Sequence, residues 1–224
     1  MPSRGRGHGA GGDESTPRPR RAHGHVGSVE QGQGSASEVF EAGRVGGNRS
    51  AGVGGIDPGT HDLITQSTGA PGGVPDGPTT RTYPSDEQTT LRAKHLENSG
   101  AVALAGHGYR VQQNPPHDDV ARARQATGDT GSPISRPDYL VEGRVFDCYS
   151  PEAGTTTRSI WSAARKKARK DQTQRVVLNL ADWDGDMSAL RRQFADWPIE
   201  KLKEVKAITP GGDIVQIDLP PKTD

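Results

Sequence analysis

The sequence predicts an α/β (α+β) domain built as a mixed sheet with flanking helices, its core in the order α-β-β-β-α-β with a C-terminal helix and hairpin added. Three observations carry this. Residues 137–149 hold two short runs of β-branched and aromatic residues joined at Glu142-Gly143, the pattern of a hairpin. Residues 175–180 include Val176-Val177-Leu178, a continuous apolar run that suits a strand covered on both faces. Between them, Ile160, Ala163, Ala164 and Ala168 recur at helical spacing. Strands interleaved with a helix of this kind imply a sheet with helices packed on it.

Composition sets where the domain begins. The chain has 224 residues, 28 basic and 28 acidic, and its 30% hydrophobic content is low for a globular protein. The deficit is local. Residues 1–80 contain 20 of the 30 glycines, no Trp or Tyr, and one Phe, Phe40. Such a segment buries too little apolar surface to offset its ordering entropy. The expectation is a disordered Gly/Pro/Arg-rich leader over residues 1–83, followed by one domain over residues 84–224. Basic tracts in the leader, such as Arg4-Gly5-Arg6-Gly7, are offset by Asp13, Glu14, Glu30, Glu38 and Glu41. Its histidines, His8, His23 and His25, lack metal-ligand spacing. No apolar run reaches the roughly 18 residues of a membrane helix, and the N-terminus carries no signal-peptide apolar core.

The elements follow in order. Ser85-Asp86-Glu87 is placed to cap a first helix and to put acid in its first turn. Leu91, Leu96, Ala101, Leu104 and Ala105 make its imperfect apolar stripe, and Glu97 leans toward the buried side. Residues 109–113 read as a strand, stopped by Asn114-Pro115-Pro116. Residues 115–135 read as a polar loop. The hairpin comes next, with Asp138 opening its first strand and Asp147 near the end of its second. Thr155-Thr156-Thr157 caps a second helix that runs to about Lys170. A buried strand, an amphipathic helix carrying Leu190 and Phe194, and a last hairpin around Pro210-Gly211-Gly212 complete the chain. Cys148 is the single cysteine, which excludes an intramolecular disulfide. It alternates with Asp147 along its strand and so is expected on the other face, as a packed thiol.

The chemistry concentrates on four residues. Paired hairpin strands bring the carboxylates of Asp138 and Asp147 to one end of a sheet, where two hard oxygen ligands suit Mg²⁺ or Mn²⁺. On the second helix, the position seven after Ile160 is Lys167, so a lysine stands where most helices put Leu. An ammonium drawn toward the sheet calls for a partner, and the hairpin acids are the natural one; the plain alternative is that Lys167 snorkels to the rim. Arg165, Lys166, Arg169 and Lys170 fan outward as a basic face that suits a polyanion backbone. Together Glu97, Asp138, Asp147 and Lys167 form a set of metal ligands with a cation beside a scissile phosphate.

At this point the chain resembles a known family. Glu97-Asn98, Leu104-Ala105, Gly108-Tyr109, Gln113-Asn114-Pro115, then Pro137-Asp138-Tyr139-Leu140-Val141-Glu142-Gly143, Phe146-Asp147-Cys148-Tyr149 and Arg175-Val176-Val177-Leu178-Asn179-Leu180 are similar, in order and spacing, to the C-terminal toxin domains of contact-dependent growth-inhibition proteins. The likeness covers about residues 90–219 and is to the tRNA-cleaving type with a PD-(D/E)xK nuclease fold. It implies a metal-dependent tRNA endonuclease, Mg²⁺ or Mn²⁺ as cofactor, a cognate immunity protein as partner, and delivery into the cytoplasm of a target cell. The family's helix carboxylate falls on Glu97 and its hairpin acids on Asp138 and Asp147. The superfamily's usual lysine, two residues after the second acid, falls on Tyr149; the lysine supplied by the second helix falls on Lys167, or on Lys166 if the register shifts by one. The residues alone do not separate RNA from DNA, so a DNA endonuclease of the same superfamily is the alternative. A catalytically inactive tethered binding domain is a further one, and the gathered acids speak against it.

Overall fold

The computed structural model describes residues 64–221, so the portion of the expected leader at 1–63 lies outside the described residues. Ten elements follow: α1 (Gln88–Gly106), β1 (Val111–Gln113), α2 (His117–Thr127), β2 (Tyr139–Val141), β3 (Arg144–Tyr149), α3 (Thr157–Arg169), β4 (Arg175–Asn179), α4 (Met187–Asp196), β5 (Glu204–Ile208) and β6 (Ile214–Ile217). The six strands form one sheet in chain order. Neighbours run antiparallel at β1–β2, β2–β3 and β5–β6, and parallel at β3–β4 and β4–β5. The mixed sheet with flanking helices is therefore the observed architecture.

Parallel neighbours need crossovers, and α3 and α4 supply them. Two successive crossovers of the same hand, stepping the same way along the sheet, must fall on the same face. There Ile160, Trp161, Ala164 and Ala168 of α3 and Leu190 and Phe194 of α4 pack on Val176, Leu178, Val205 and Ala207. The opposite face is covered by α1, whose Ala101, Leu104 and Ala105 meet Val111, Tyr139, Val141, Phe146, Cys148, Val177 and Ile208. The period of two along β3 thus sends Phe146 and Cys148 toward α1 and leaves Asp147 to face α3. Among the described residues no helix is long and apolar enough to cross a membrane.

Two expectations about the helices are corrected. Residues 115–135 are not simply a loop: α2 occupies His117–Thr127, with Asp118 and Asp119 in its first turn and Gly128 ending it at φ 66°. Only Val120 and Ala123 of this helix are buried, against Leu140 and Val145, so its apolar signal is two residues wide. The first helix also starts otherwise than expected. Glu87 caps it without a side-chain hydrogen bond, and its first turn holds no acid; Asp86 instead accepts from Tyr83 N at 2.8 Å and pairs with Lys94 at 2.7 Å.

The described part of the presumed leader, residues 64–83, lies along the domain. Thr65 is 2% exposed. Gly69 N donates to Gly108 O at 2.8 Å, and Asp76 N to Val111 O at 2.8 Å, so the segment forms an isolated bridge beside β1. Two glycines permit this approach. A Cβ on Gly77 would stand 2.3 Å from Gln113 O, and one on Gly108 would stand 2.6 Å from Gly69 O, with both residues at positive φ. The same residue type that reads as disorder in composition is here a requirement for close contact.

Candidate active site

The β2–β3 hairpin turns on Glu142 at φ 50° and Gly143 at φ 72°, the conformation of a two-residue turn with both central residues left-handed. Glutamate is an unusual occupant of that position, and its carboxylate is held on several sides. It accepts from Arg110 N at 2.8 Å, Arg110 Nε at 3.0 Å, Thr68 N at 3.0 Å and Thr68 Oγ1 at 2.7 Å. The turn fixes the register Tyr139↔Phe146 and Leu140↔Val145. One step beyond that pairing, Asp138 and Asp147 face each other across the fork where β2 and β3 part.

Asp147 is 3% exposed. Its Oδ1 is 3.0 Å from Lys167 Nζ, whereas its buried Oδ2 has no hydrogen-bond donor among the described residues. Asp138 accepts from Cys148 N through Oδ2 at 2.6 Å. Burial, followed by the adjoining Asp147, pushes the Asp138 carboxyl well above the usual carboxylate range. Burial alone would lower Lys167, but the charges of Asp147 and Asp138 outweigh it and the ammonium titrates above its ordinary value. Lys167 therefore holds its proton at neutral pH.

Glu97 comes to this group from α1, on the other side of the fork. Burial raises its carboxyl; a hydrogen bond from Thr80 opposes that, Asp147 adds to it through space, and Lys167 offsets it. Arg92, on the same helix, ties α1 to the end of β3 and beyond, donating to Ser150 O at 3.2 Å and Pro151 O at 2.7 Å and pairing with Asp182 at 2.9 Å. Cys148 points away from the acids, and burial pushes its thiol up to about 12, which leaves it an inert packing group.

The structure thus gathers Glu97, Asp138, Asp147 and Lys167, and separates them from Lys166, which is exposed on the outer side of α3 with Arg165, Arg169 and Lys170. Those four line a shallow depression with Ser162. Arg165 also lies over the Trp161 ring at 5.4 Å. Among the described residues, no three Asp, Glu, His or Cys side chains are drawn tightly enough to form a closed metal cluster. The chemistry of the donors nonetheless fits a divalent cation, since two facing carboxylates and an unpartnered buried oxygen are an anionic site short of a counter-charge.

Four residues to which the sequence assigns no role in the site hold Glu97 in place. Asn98 Oδ1 accepts from Thr80 N at 2.8 Å and Asn98 Nδ2 donates to Thr80 O at 2.9 Å. Gln113 Nε2 donates to the same Asn98 oxygen. Asn114 Nδ2 donates to Thr80 Oγ1 at 2.8 Å, and the Thr80 hydroxyl donates to Glu97 Oε1. The available signal was the run of amides, Asn98, Gln113 and Asn114, around a glutamate; Thr80 had none, since it lay in the presumed leader.

The family described as Contact-dependent growth inhibition CdiA C-terminal domain matches residues 135–214. A curated protein of Burkholderia pseudomallei (strain 1026b) named tRNA nuclease CdiA-2 is 33% identical over 152 residues, which are 68% of this chain and 4% of that protein. The chain therefore spans a small fraction of that relative's length. A solved structure, the CdiA-CT/CdiI toxin and immunity complex from Burkholderia pseudomallei, is similar at a TM-score of 0.55 and 32% identity, covering 65% of this chain and 99% of the solved one.

Proposed function

This chain belongs to the family of CdiA C-terminal toxin domains of contact-dependent growth inhibition, and from that premise we propose that it is a metal-dependent endonuclease that cleaves tRNA. The single observation that carries the reading is the fork of β2 and β3, where buried Asp147 meets Lys167 at 3.0 Å on one oxygen and has no donor on the other. The relative named a tRNA nuclease supports tRNA as the substrate class. The helix–hairpin–helix origin of the acids and lysine supports a PD-(D/E)xK type of centre, with Lys167 in place of the lysine that usually follows the second acid.

Asp138 and Asp147, with Glu97 as third carboxylate, would hold Mg²⁺ or Mn²⁺, which when bound supplies charge neutralisation and water activation at the scissile phosphate. Lys167 keeps its proton, so it does not act as a base. It places a positive charge beside the phosphate, and that charge is worth most as negative charge develops on the phosphoryl oxygens. Asp147 fixes the lysine through Oδ1, and its orphaned Oδ2 would be available to help hold the cation. Arg165, Lys166, Arg169 and Lys170 hold the RNA backbone by charge, without reading sequence. A cognate immunity protein as partner is supported by the solved toxin–immunity complex, and action in a target-cell cytoplasm follows from membership of a contact-dependent growth-inhibition family.

The test is cleavage of bulk tRNA, other RNA and duplex DNA by the purified chain, with Mg²⁺ or with chelator. The reading expects cuts in tRNA that vanish with chelator. Equal cutting of duplex DNA would replace tRNA by DNA as substrate; undiminished cutting in chelator would remove the metal.

A further inference from the structure

Three threonines of the segment at 64–83 are each clasped by the domain. Glu204 takes both Thr65 N (3.0 Å) and Thr65 Oγ1 (2.7 Å). Glu142 takes both Thr68 N (3.0 Å) and Thr68 Oγ1 (2.7 Å). The third clasp differs. At Thr80 the backbone is taken by the Asn98 amide, at 2.8 and 2.9 Å, and the hydroxyl is left to reach the Glu97 carboxylate.

The direction of that bond is set by its neighbours. Asn114 Nδ2 also lies 2.9 Å from Pro78 O, a carbonyl that can only accept, so the Asn114 atom facing Thr80 is the amide nitrogen. It donates to Thr80 Oγ1, and the single hydroxyl hydrogen is then directed to Glu97. The other two clasped carboxylates also carry cations: Glu142 has Arg110 at 3.0 Å, and Glu204 has Arg175 at 3.3 Å and Lys206 at 3.0 Å. Glu97 is held instead by a neutral hydroxyl, while Lys167 acts on it through space. Among the described residues, the segment at 64–83, a strap along the domain, thus reaches the centre with one side chain, at a carboxylate with no ion-paired cation of its own.

We propose that Thr80 is a positioning residue of the active centre, supplied by the strap to orient Glu97 toward Asp138 and Asp147. The inference rests on the reading of Glu97 as part of a nuclease centre. Second-sphere hydroxyls and amides of this kind typically change metal affinity or activity by about 10- to 100-fold when removed.

The experiment uses the full chain with four variants, Thr80→Val, Thr80→Ser, Thr68→Val and Glu97→Gln. Each is measured for kcat and KM on bulk tRNA with Mg²⁺, for Mn²⁺ binding to the metal-free protein by calorimetry, and for melting temperature. Thr80→Val keeps the side-chain shape and the backbone bonds to Asn98 but removes the hydroxyl. It is expected to lower kcat by about tenfold or more, with KM unchanged, and to weaken Mn²⁺ binding by a similar factor. Thr80→Ser is expected to restore both, and Thr68→Val to leave kcat and Mn²⁺ binding at wild-type values whatever it does to melting. Wild-type kcat and Mn²⁺ affinity in Thr80→Val would overturn the proposal, as would a parallel loss in Thr68→Val that follows melting temperature. Glu97→Gln separates the two failures. If it is inactive while Thr80→Val is normal, only the role of Thr80 falls; if it is fully active, the reading of Glu97 falls as well.

Discussion

Lys166 and Lys167 are adjacent in sequence and point about 100° apart on the helix. Lys167 stands 3.0 Å from a buried carboxylate, whereas Lys166 lines the outer basic depression. Their roles in the proposed reaction therefore differ in kind. Lys167→Ala is expected to lower kcat on the order of 10²-fold or more with a small change in KM, because its charge matters most in the transition state. Lys166→Ala should keep most of its kcat, raise KM and flatten the salt dependence, as loss of a backbone contact does. Steady-state kinetics on tRNA at several salt concentrations measure both; the reverse ranking would assign the chemistry to Lys166. Asp138 makes a separate prediction about stability. Its carboxyl titrates well above the usual range in the fold, so folded protein binds a proton that unfolded protein has released. Stability then falls as pH rises from about 4 toward the folded value, at up to about 1.4 kcal/mol per pH unit. In chelator, Asp138→Asn should remove this slope and melt higher than wild type at neutral pH. Melting curves over that range check it, and an unchanged slope would mean that Asp138 is ionised in the fold.

At the scale of elements, the parallel pair β4–β5 carries a buried charge cluster. Arg175 is 2% exposed and pairs with Asp129 and with Glu204, which also hold Lys203 and Lys206 at 2.8 and 3.0 Å. This cluster joins the strand starts to the loop after α2 and to Thr65. Breaking such a pair from one side leaves charge buried without its partner, which costs about 3–5 kcal/mol. Arg175→Met is expected to destabilise by that amount in denaturant unfolding, although its volume is nearly kept; a loss under 1 kcal/mol would show that Lys203 and Lys206 suffice. The elements differ in how far they could be read from sequence. The hairpin, β4, α3 and α4 were legible because their apolar periods are clear and each covers a substantial core. The lysine of α3 was legible for the same reason: with Ile160, Ala164 and Ala168 all buried, the count along the helix leaves Lys167 on the inner side. α2 was not, because only Val120 and Ala123 are buried and its other positions are polar or exposed. Periodicity reports burial, and a helix resting on a sheet by two residues carries little of it.

For the whole molecule, the boundary is the principal revision. Composition averages over a window, and residues 64–83 share the Gly/Pro content of the residues before them. What anchors them is specific: three threonines on three glutamates or an asparagine, and glycines where a Cβ would collide with backbone. None of these contacts has a local signature, since each partner lies many residues away in sequence. The carboxylates and lysine of the proposed centre are legible in the sequence, but the hydroxyl that holds Glu97 is not, because by composition its segment reads as leader. Limited proteolysis of the full chain, read by mass spectrometry, should accordingly leave a stable fragment that still contains Thr65. A stable fragment beginning near residue 84 would mean that the strap is not part of the folded unit.

Buried Asp147, held by Lys167 on one side and facing Asp138 across the β2–β3 fork, is the residue proposed to carry the nuclease chemistry. Single-turnover cleavage of bulk tRNA by Asp147→Asn, beside wild type at saturating Mg²⁺ and with folding verified by melting, tests it most directly. The amide keeps the size of the side chain but removes the charge that pairs with Lys167 and that the proposed divalent cation would require. The account predicts a folded protein whose cleavage rate falls on the order of 10³-fold or more. A folded Asp147→Asn protein that cuts tRNA at the wild-type rate would contradict it.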